Sequence, residues 1–511
     1  MKKSTLLFIP AFLITGIALF YAWTDWSGAR QLKESLAMLD AKKETRRFED
    51  FLPAPVPDER NVAAAPIFKE FCDALRLKQN DSRLAKLKEP WTNSDLKQEE
   101  GESWLHFQAR KIDPSFKGDE NAAGKIILKS LAQLDPTIKE ISEALKRPDA
   151  VWPLDYSIAP YSIQLPQLSI LNRTARIFYA KALAEMATGA PEKSFEDTQT
   201  LLAIARASKE PPFLICELVE VASLNLVANV IHQALNEGSW SNSQLAMISA
   251  ELPQFRLMSQ YANALRVERA CLASYSTAEE IKESFLLQKS AADQDVPIFV
   301  WKESLNLAIY RLRPSGWEND DRALSIVILQ RMIDSLNNGD RLSSIKIWDE
   351  VQRKNNLHGW QFTKTPITLL VMPPYGEAVK KICQTQTRLN VLSAACAVER
   401  FRLANHQLPA SLDELVPSLL TSVPKDPMTG APLLYKRMQG MAVSDGQKTA
   451  TPAENFVGMS NAKSSLTYPD DSFVIYGLGW NRKDDGGPKV STLNREPQEQ
   501  STWGIVVNPT K

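Results

Sequence analysis

The sequence predicts a mainly α-helical chain that ends in an α+β domain and begins with a single transmembrane helix. Three observations carry that prediction. Thr5 to Trp23 holds no charged residue, apolar residues recur at helical spacing from Ala122 to Lys146 and from Leu165 to about Gln288, and strand-type segments are confined to the chain from Leu433 onward.

The N-terminal run is about 19 residues, long enough to cross a hydrocarbon core of about 30 Å. Tyr21, Trp23 and Trp26 stand at its far end, where amphipathic rings favour the membrane interface. Lys2 and Lys3 precede the run and Asp25 follows it, which orients the N-terminus inside and the body outside the cytoplasm. The competing reading is a signal peptide cut at Ser27-Gly28-Ala29; the run exceeds a normal signal-peptide core and favours an uncleaved anchor over residues 1–24. Residues 25–60 are a membrane-proximal segment. Gln31 to Phe51 continues as helix, and Leu52-Pro53-Ala54-Pro55-Val56-Pro57 forms an extended spacer that can act as a hinge.

Residues 61–374 form the helical part. Asn61 to Leu77 is helical with one apolar face, and Lys78 to Gly101 is charge-dense and solvated. Leu168, Leu171, Ala175, Phe178, Ala182 and Met186 make a stripe that stops at Gly189-Ala190-Pro191, where Gly ends one helix and Pro opens the next. Phe195, Leu201, Leu202, Ile204 and Ala205 mark its partner; Pro211-Pro212 punctuates, and Leu214 to Leu235 is a third helix ending at Gly238. Helices joined by short turns form an irregular antiparallel helical-hairpin array, similar to tetratricopeptide-type repeats but without a strict period. Leu214 to Ile231 is apolar enough to suggest a second span, but Glu217 and Glu220 would be costly in lipid, so it reads as a core helix. Pro297 to Asp321 reads as an aromatic-rich loop before the helix Ala323 to Asn337, and Pro366 to Met372 as a short buried connector.

Residues 375–511 form the α+β domain. Ile382, Leu389, Leu392, Cys396 and Leu403 recur on one helical stripe, with Lys380, Lys381, Arg388, Glu399 and Arg400 on other faces. Pro409 stops that helix, and Ser411 with Glu414 makes a capping box for a short second one. Lys425-Asp426-Pro427-Met428-Thr429-Gly430-Ala431-Pro432 turns the chain sharply before strands at Leu433–Tyr435, Phe473–Trp480 and Trp503–Val507. A long helix on a small antiparallel sheet follows.

The run "ERFRLANHQLPASLDEL", then "VPKDPMTGAPLLY", "FVIYGLGWNRKDDGG" and "WGIVV" resembles the periplasmic domain of the major pseudopilin of type II secretion. The rest of the chain resembles membrane-anchored bacterial proteins built of helical hairpins. The pseudopilin resemblance implies a calcium-binding C-terminal loop, which falls here on Asn481, Asp484 and Asp485. The leader differs: no Gly-Phe cleavage site and no early Glu follows Met1-Lys2-Lys3-Ser4. The chain is therefore not expected to be processed and polymerised as a pilus subunit.

Chemistry-bearing residues are sparse. Sixty basic residues balance sixty acidic ones in 511, with no basic and aromatic interleaving, which gives no reason to invoke nucleic acid. His106, His232, His358 and His406 are isolated, and the sequence holds no HExxH, CxxC, GxSxG or phosphate loop. Cys383 and Cys396 are about 20 Å apart along one helix and cannot bridge each other. The five cysteines read as buried apolar residues. At Asn481-Arg482-Lys483-Asp484-Asp485-Gly486-Gly487, clustered oxygens suit calcium; EF-hand spacing fails because Lys483 takes the third position and Thr492 the twelfth. The other reading is a solvated Asp-Gly turn between strands.

These readings point to a protein of the bacterial inner membrane, spanning once through residues 5–23 with its bulk periplasmic, that works as a scaffold for protein partners. Alternatives are an accessory of a type II secretion or pilus-like system, and an envelope hydrolase using Glu217, Glu220, Glu268 and His232.

Overall fold

The computed structural model describes residues 3–77, 82–87, 96–99, 101–275, 313–354, 364, 368, 373–438, 471–479, 482–484, 486–487 and 503–508. Among them the chain is mainly helical, with one small sheet near the C-terminus.

Helix α1 (Lys3–Ala41) runs unbroken through the predicted anchor and beyond it, but it stops short of the expected Phe51: Lys43 takes a left-handed backbone and only a 3-10 turn forms over Phe48–Phe51. Short helices α2 (Pro66–Arg76), α3 (Ser82–Lys86), α4 (Trp104–Ile112), α5 (Glu120–Leu131) and α6 (Asp135–Ala144) lead to the larger ones. These are α7 (Pro166–Ala187), α8 (Pro191–Ser208) and α9 (Leu214–Glu237), each of which packs on the other two. The punctuation worked as expected at Pro191, which opens α8, and at Gly238, which closes α9 in the left-handed conformation; Pro166 likewise opens α7. By length and composition α9 could cross a membrane, but it lies mostly inside the fold, with Glu217 and Glu220 buried.

Helices α10 (Asn242–Glu251), α11 (Leu257–Tyr275), α12 (Gly316–Asn337) and α13 (Arg341–Lys354) follow, then the long α14 (Pro373–Asn405). α14 is wrapped by α9, α10, α11 and α13 and also contacts the sheet. This corrects the single-stripe expectation. Ile382, Leu389, Leu392 and Cys396 are buried, but so are Arg388 and Glu399, whereas Leu403 is 41% exposed. A helix covered on all sides by neighbours must satisfy its own charges: Arg388 donates to Asn225 and Asn229, and Arg402 holds Glu399 at 2.7 Å.

The sheet is β1 (Leu434–Arg437), β2 (Phe473–Gly477) and β3 (Trp503–Val507), antiparallel and in that order, with Tyr435 opposite Ile475 and Ile475 opposite Ile505. Alternation sends Phe473, Ile475, Trp503, Ile505 and Val507 into the main core, while Val474, Tyr476 and Val506 make a small cluster with Met438 on the other face. The Asp426 turn is pinned to the end of β2: its carboxylate accepts from the Met428 and Leu478 amides at 3.0 and 3.1 Å, and Gly477 packs against it where a side chain would crowd.

Two smaller expectations are corrected. Ser411 makes no side-chain cap; Glu414 instead accepts from the Ala410 amide at 2.6 Å, because only a 3-10 turn forms over Leu412–Leu415. The Pro-rich spacer begins against the body: Phe48 stacks on Phe213, and Phe51 and Leu52 pack on the same cluster. The connector at 366–372, apart from Thr368, and the long polar insertion that the sequence places between strands from Asp445 to Asp471, apart from Asp471, lie outside the described residues.

Candidate functional site

Two regions could carry function: the first helix and a set of buried carboxyl groups. In α1 the boundary between them and the body is sharp. Residues 11–20 are exposed all round, with Phe12 at 80%, Ile14 at 66% and Leu19 at 66%. From Tyr21 onward one face becomes covered, and Thr24, Gly28, Ser35 and Leu39 are buried at helical spacing as α1 packs on α12. A helix that is apolar on every side belongs in a protein interior or a bilayer, and residues 11–20 are left uncovered by the described residues, whereas the one-sided stripe that follows is covered by α12.

The docked half is fixed by polar contacts too. Asp25 accepts from the Ser315 hydroxyl and the Gly316 amide, each at 2.7 Å, and Lys42 donates to Asp334 at 3.0 Å. Just past the helix, Glu44 accepts from Arg266 at 3.1 Å and from Arg269 at 2.9 Å, and fully buried Arg269 also donates to Gln330. Burial works against ionisation of Glu44, but the two guanidiniums outweigh it and hold its carboxyl below the ordinary range. Sequence reading missed this network, since its members are some 220 positions apart; the only local hint is Arg266 and Arg269 on one helical face.

The carboxyl groups gather where α9 begins. Phe213 precedes that helix and offers no cap, so the Leu214 amide is taken by Glu268 Oε1 from α11 at 3.2 Å. The other Glu268 oxygen accepts from the Tyr375 hydroxyl at 3.3 Å, and the Tyr375 carbonyl accepts from Tyr261 at 2.8 Å. One turn into α9, Glu217 and Glu220 share a face, and Gln260 donates to both Glu220 oxygens at 3.2 and 3.3 Å. Burial raises both acids, Glu217 to about 9, aided by its like-charged neighbour Glu220, and Glu220 to about 7. Burial also raises Glu268 against the pull of the Leu214 amide and the Tyr375 hydroxyl. Two neighbouring carboxyl groups whose environments push their ionisation apart are the equipment of acid–base chemistry. Here, however, Glu217 is 3%, Glu220 0% and Glu268 7% exposed, and the bonds of Glu220 and Glu268 tie α9, α11 and α14 together.

His232 does not join them. It lies about 22 Å from Glu217 along α9. There its Nε2 sits 3.1 Å from the Val506 carbonyl oxygen and donates to it, while the Asn236 side chain accepts from the Asn508 amide at 3.1 Å. α9 thereby covers the outer edge of β3. Burial lowers His232 to about 4, so it is neutral.

Of the calcium-loop residues, Asn481 and Asp485 lie outside the described residues. Asp484 Oδ1 accepts from the Tyr476 hydroxyl at 2.9 Å and the Gly486 amide at 2.8 Å, and its carboxyl is held below the usual range by those two bonds. The Gly486 carbonyl accepts from the Lys436 ammonium at 3.0 Å, which also lies over the Tyr476 ring at 5.4 Å. His106 bonds the Gly118 carbonyl, and His358 is outside the described residues. All five cysteines are buried, and burial raises Cys72 to about 11 and Cys383 and Cys396 to about 12. They are inert apolar residues. The trio of Lys181 with Glu185 and Asp197, at 2.6 and 2.8 Å between α7 and α8, was not foreseen either.

Comparison with protein-family models, with curated proteins and with solved structures finds no match.

Proposed function

We propose that this protein is a membrane-anchored scaffold of the bacterial envelope, held on the periplasmic side by α1 and presenting an irregular helical-hairpin body to protein partners. One observation carries the reading: residues 11–20 project beyond the body with apolar side chains exposed on every side, while the same helix from Tyr21 onward is docked. Leaving such a surface in water would forgo a large hydrophobic gain, at roughly 25 cal/mol for each Å². The charges flanking the run favour the body outside the cytoplasm. Glu220 and Glu268 favour a scaffold over a hydrolase, since their bonds hold α9, α11 and α14 together. Alkaline carbonate extraction of membranes tests the anchor. Full-length protein should remain in the pellet, and its release into the wash would overturn the reading.

A second reading makes the chain an accessory of a type II secretion or pilus-like machine. It is supported by α14 lying on a three-stranded antiparallel sheet that follows the Asp426 turn. Crosslinking in membranes followed by affinity capture decides it: pilus-type components in the eluate support it, and their reproducible absence counts against it.

A further inference from the structure

We propose that the body itself enters the membrane interface, through Trp317 at the first turn of α12. This rests on the anchored reading above. The Trp317 ring meets the Phe20 ring edge to face, with centroids 6.3 Å apart. Phe20 is inside the uncharged run, three positions before its end at Trp23. A ring in contact with Phe20 must share its depth, so seating residues 5–23 in hydrocarbon carries Trp317 to the edge of the acyl region. Tilting α1 cannot withdraw it, because α1 and α12 touch backbone to backbone at Gly28 and Gly316 and move together.

The chemistry around Trp317 suits that depth. Indoles partition to the boundary between headgroup and chain, and Trp23 and Trp26, at 62% and 61% exposure, supply two more on α1. Two of the nearby charges pair with each other, Arg313 with Glu318 at 3.0 Å, and Asp25 accepts from Ser315 and the Gly316 amide. Two helices therefore contribute to one aromatic belt, and the lipid surface is the partner of this face. The body then has a fixed height and orientation over the bilayer, as a two-point attachment requires.

Full-length protein carrying a single surface cysteine labelled with an environment-sensitive nitrobenzoxadiazole dye tests this, because the native cysteines are buried. Four variants, Trp317→Cys, Ser315→Cys, Trp23→Cys and Ser243→Cys, are reconstituted into phosphatidylethanolamine–phosphatidylglycerol vesicles with and without lipid spin-labelled near the headgroup. Dye at 317 and 315 should be quenched as strongly as dye at 23, and dye at 243 should not be quenched. Quenching at 23 without quenching at either 315 or 317 overturns the inference and leaves the anchor standing. Absence of quenching at all four positions overturns both. Ser315→Cys keeps the indole in place, so loss of that ring cannot account for a negative result.

Discussion

Gly28 and Gly316 mark the closest approach of α1 to the body: a Cβ built at Gly28 would collide with the Gly316 carbonyl, and one at Gly316 with the Thr24 carbonyl. Both neighbours are backbone, so neither can swing aside. Gly316→Val should lower stability by about 1–3 kcal/mol, as overpacking does. It should also loosen the docked half of α1, measured as faster protease cleavage near Lys43, where the backbone is already left-handed. Unchanged melting and cleavage would contradict the backbone contact.

Arg269 is the second fastening. Arg269→Ala leaves Glu44 with one partner and Gln330 without its donor, and breaking such a pair should cost about 3–5 kcal/mol. Replacing Glu44 and Arg269 together by Leu and Met should recover part of that loss, since the fully buried charge is gone, while Arg266 gives up its carboxylate but keeps some access to water. Denaturant unfolding of both variants separates the cases; equal losses would show that packing, not charge pairing, holds the junction.

The carboxyl pair makes the fold sensitive to base. In the unfolded chain Glu217 and Glu220 ionise near 4.3, but in the folded protein only at about 9 and about 7. Their contribution is fully present below about pH 4 and is lost as pH rises through that window, because the unfolded chain has already released protons the fold retains. Glu217→Gln cannot ionise, so its melting temperature relative to the parent should be level near pH 4.5 and rise steadily toward pH 9. A constant offset would contradict a Glu217 carboxyl raised by burial.

His232 works in the opposite direction. Its folded value of about 4 lies below the ordinary value near 6.5. Its contribution is present above about pH 6.5 and lost as pH falls to about 4, when the unfolded chain takes up a proton that the fold refuses. His232→Asn should flatten this acid limb while weakening the contact to β3. An unchanged acid limb would show that other groups set it.

At the Asp484 loop, Lys436 already gives its ammonium to the Gly486 carbonyl. An internal cation competes with an added one for that oxygen. Calcium should therefore shift the melting of the parent protein little and that of Lys436→Met more; an equal large shift in both would show that Lys436 does not compete.

Much of the fold was legible because it rests on local rules. Apolar periodicity, Pro191 at a helix start and Gly238 at a helix end located α7 to α9, and β-rich composition located β2 and β3. The environment of α14 was not legible, because periodicity shows how many apolar residues a helix has and not how many neighbours will cover the rest; Arg388 and Glu399 are buried only because α9 and nearby chain supply partners. Of the acids singled out, Glu217 and Glu220 fell together by helical spacing. Glu268 joined them only through the tertiary packing of α11, and His232 went elsewhere because the edge of β3 needed a donor. The Glu44 junction depends wholly on contacts between distant segments.

The most direct test of the account is the side of the membrane on which the C-terminus lies. Alkaline phosphatase fused after Lys511 folds to activity only outside the cytoplasm, and green fluorescent protein fused at the same point fluoresces only within it when exported by the general secretory route. The account predicts active phosphatase in the membrane fraction and a dark fluorescent fusion. A bright fluorescent fusion with inactive phosphatase would contradict it.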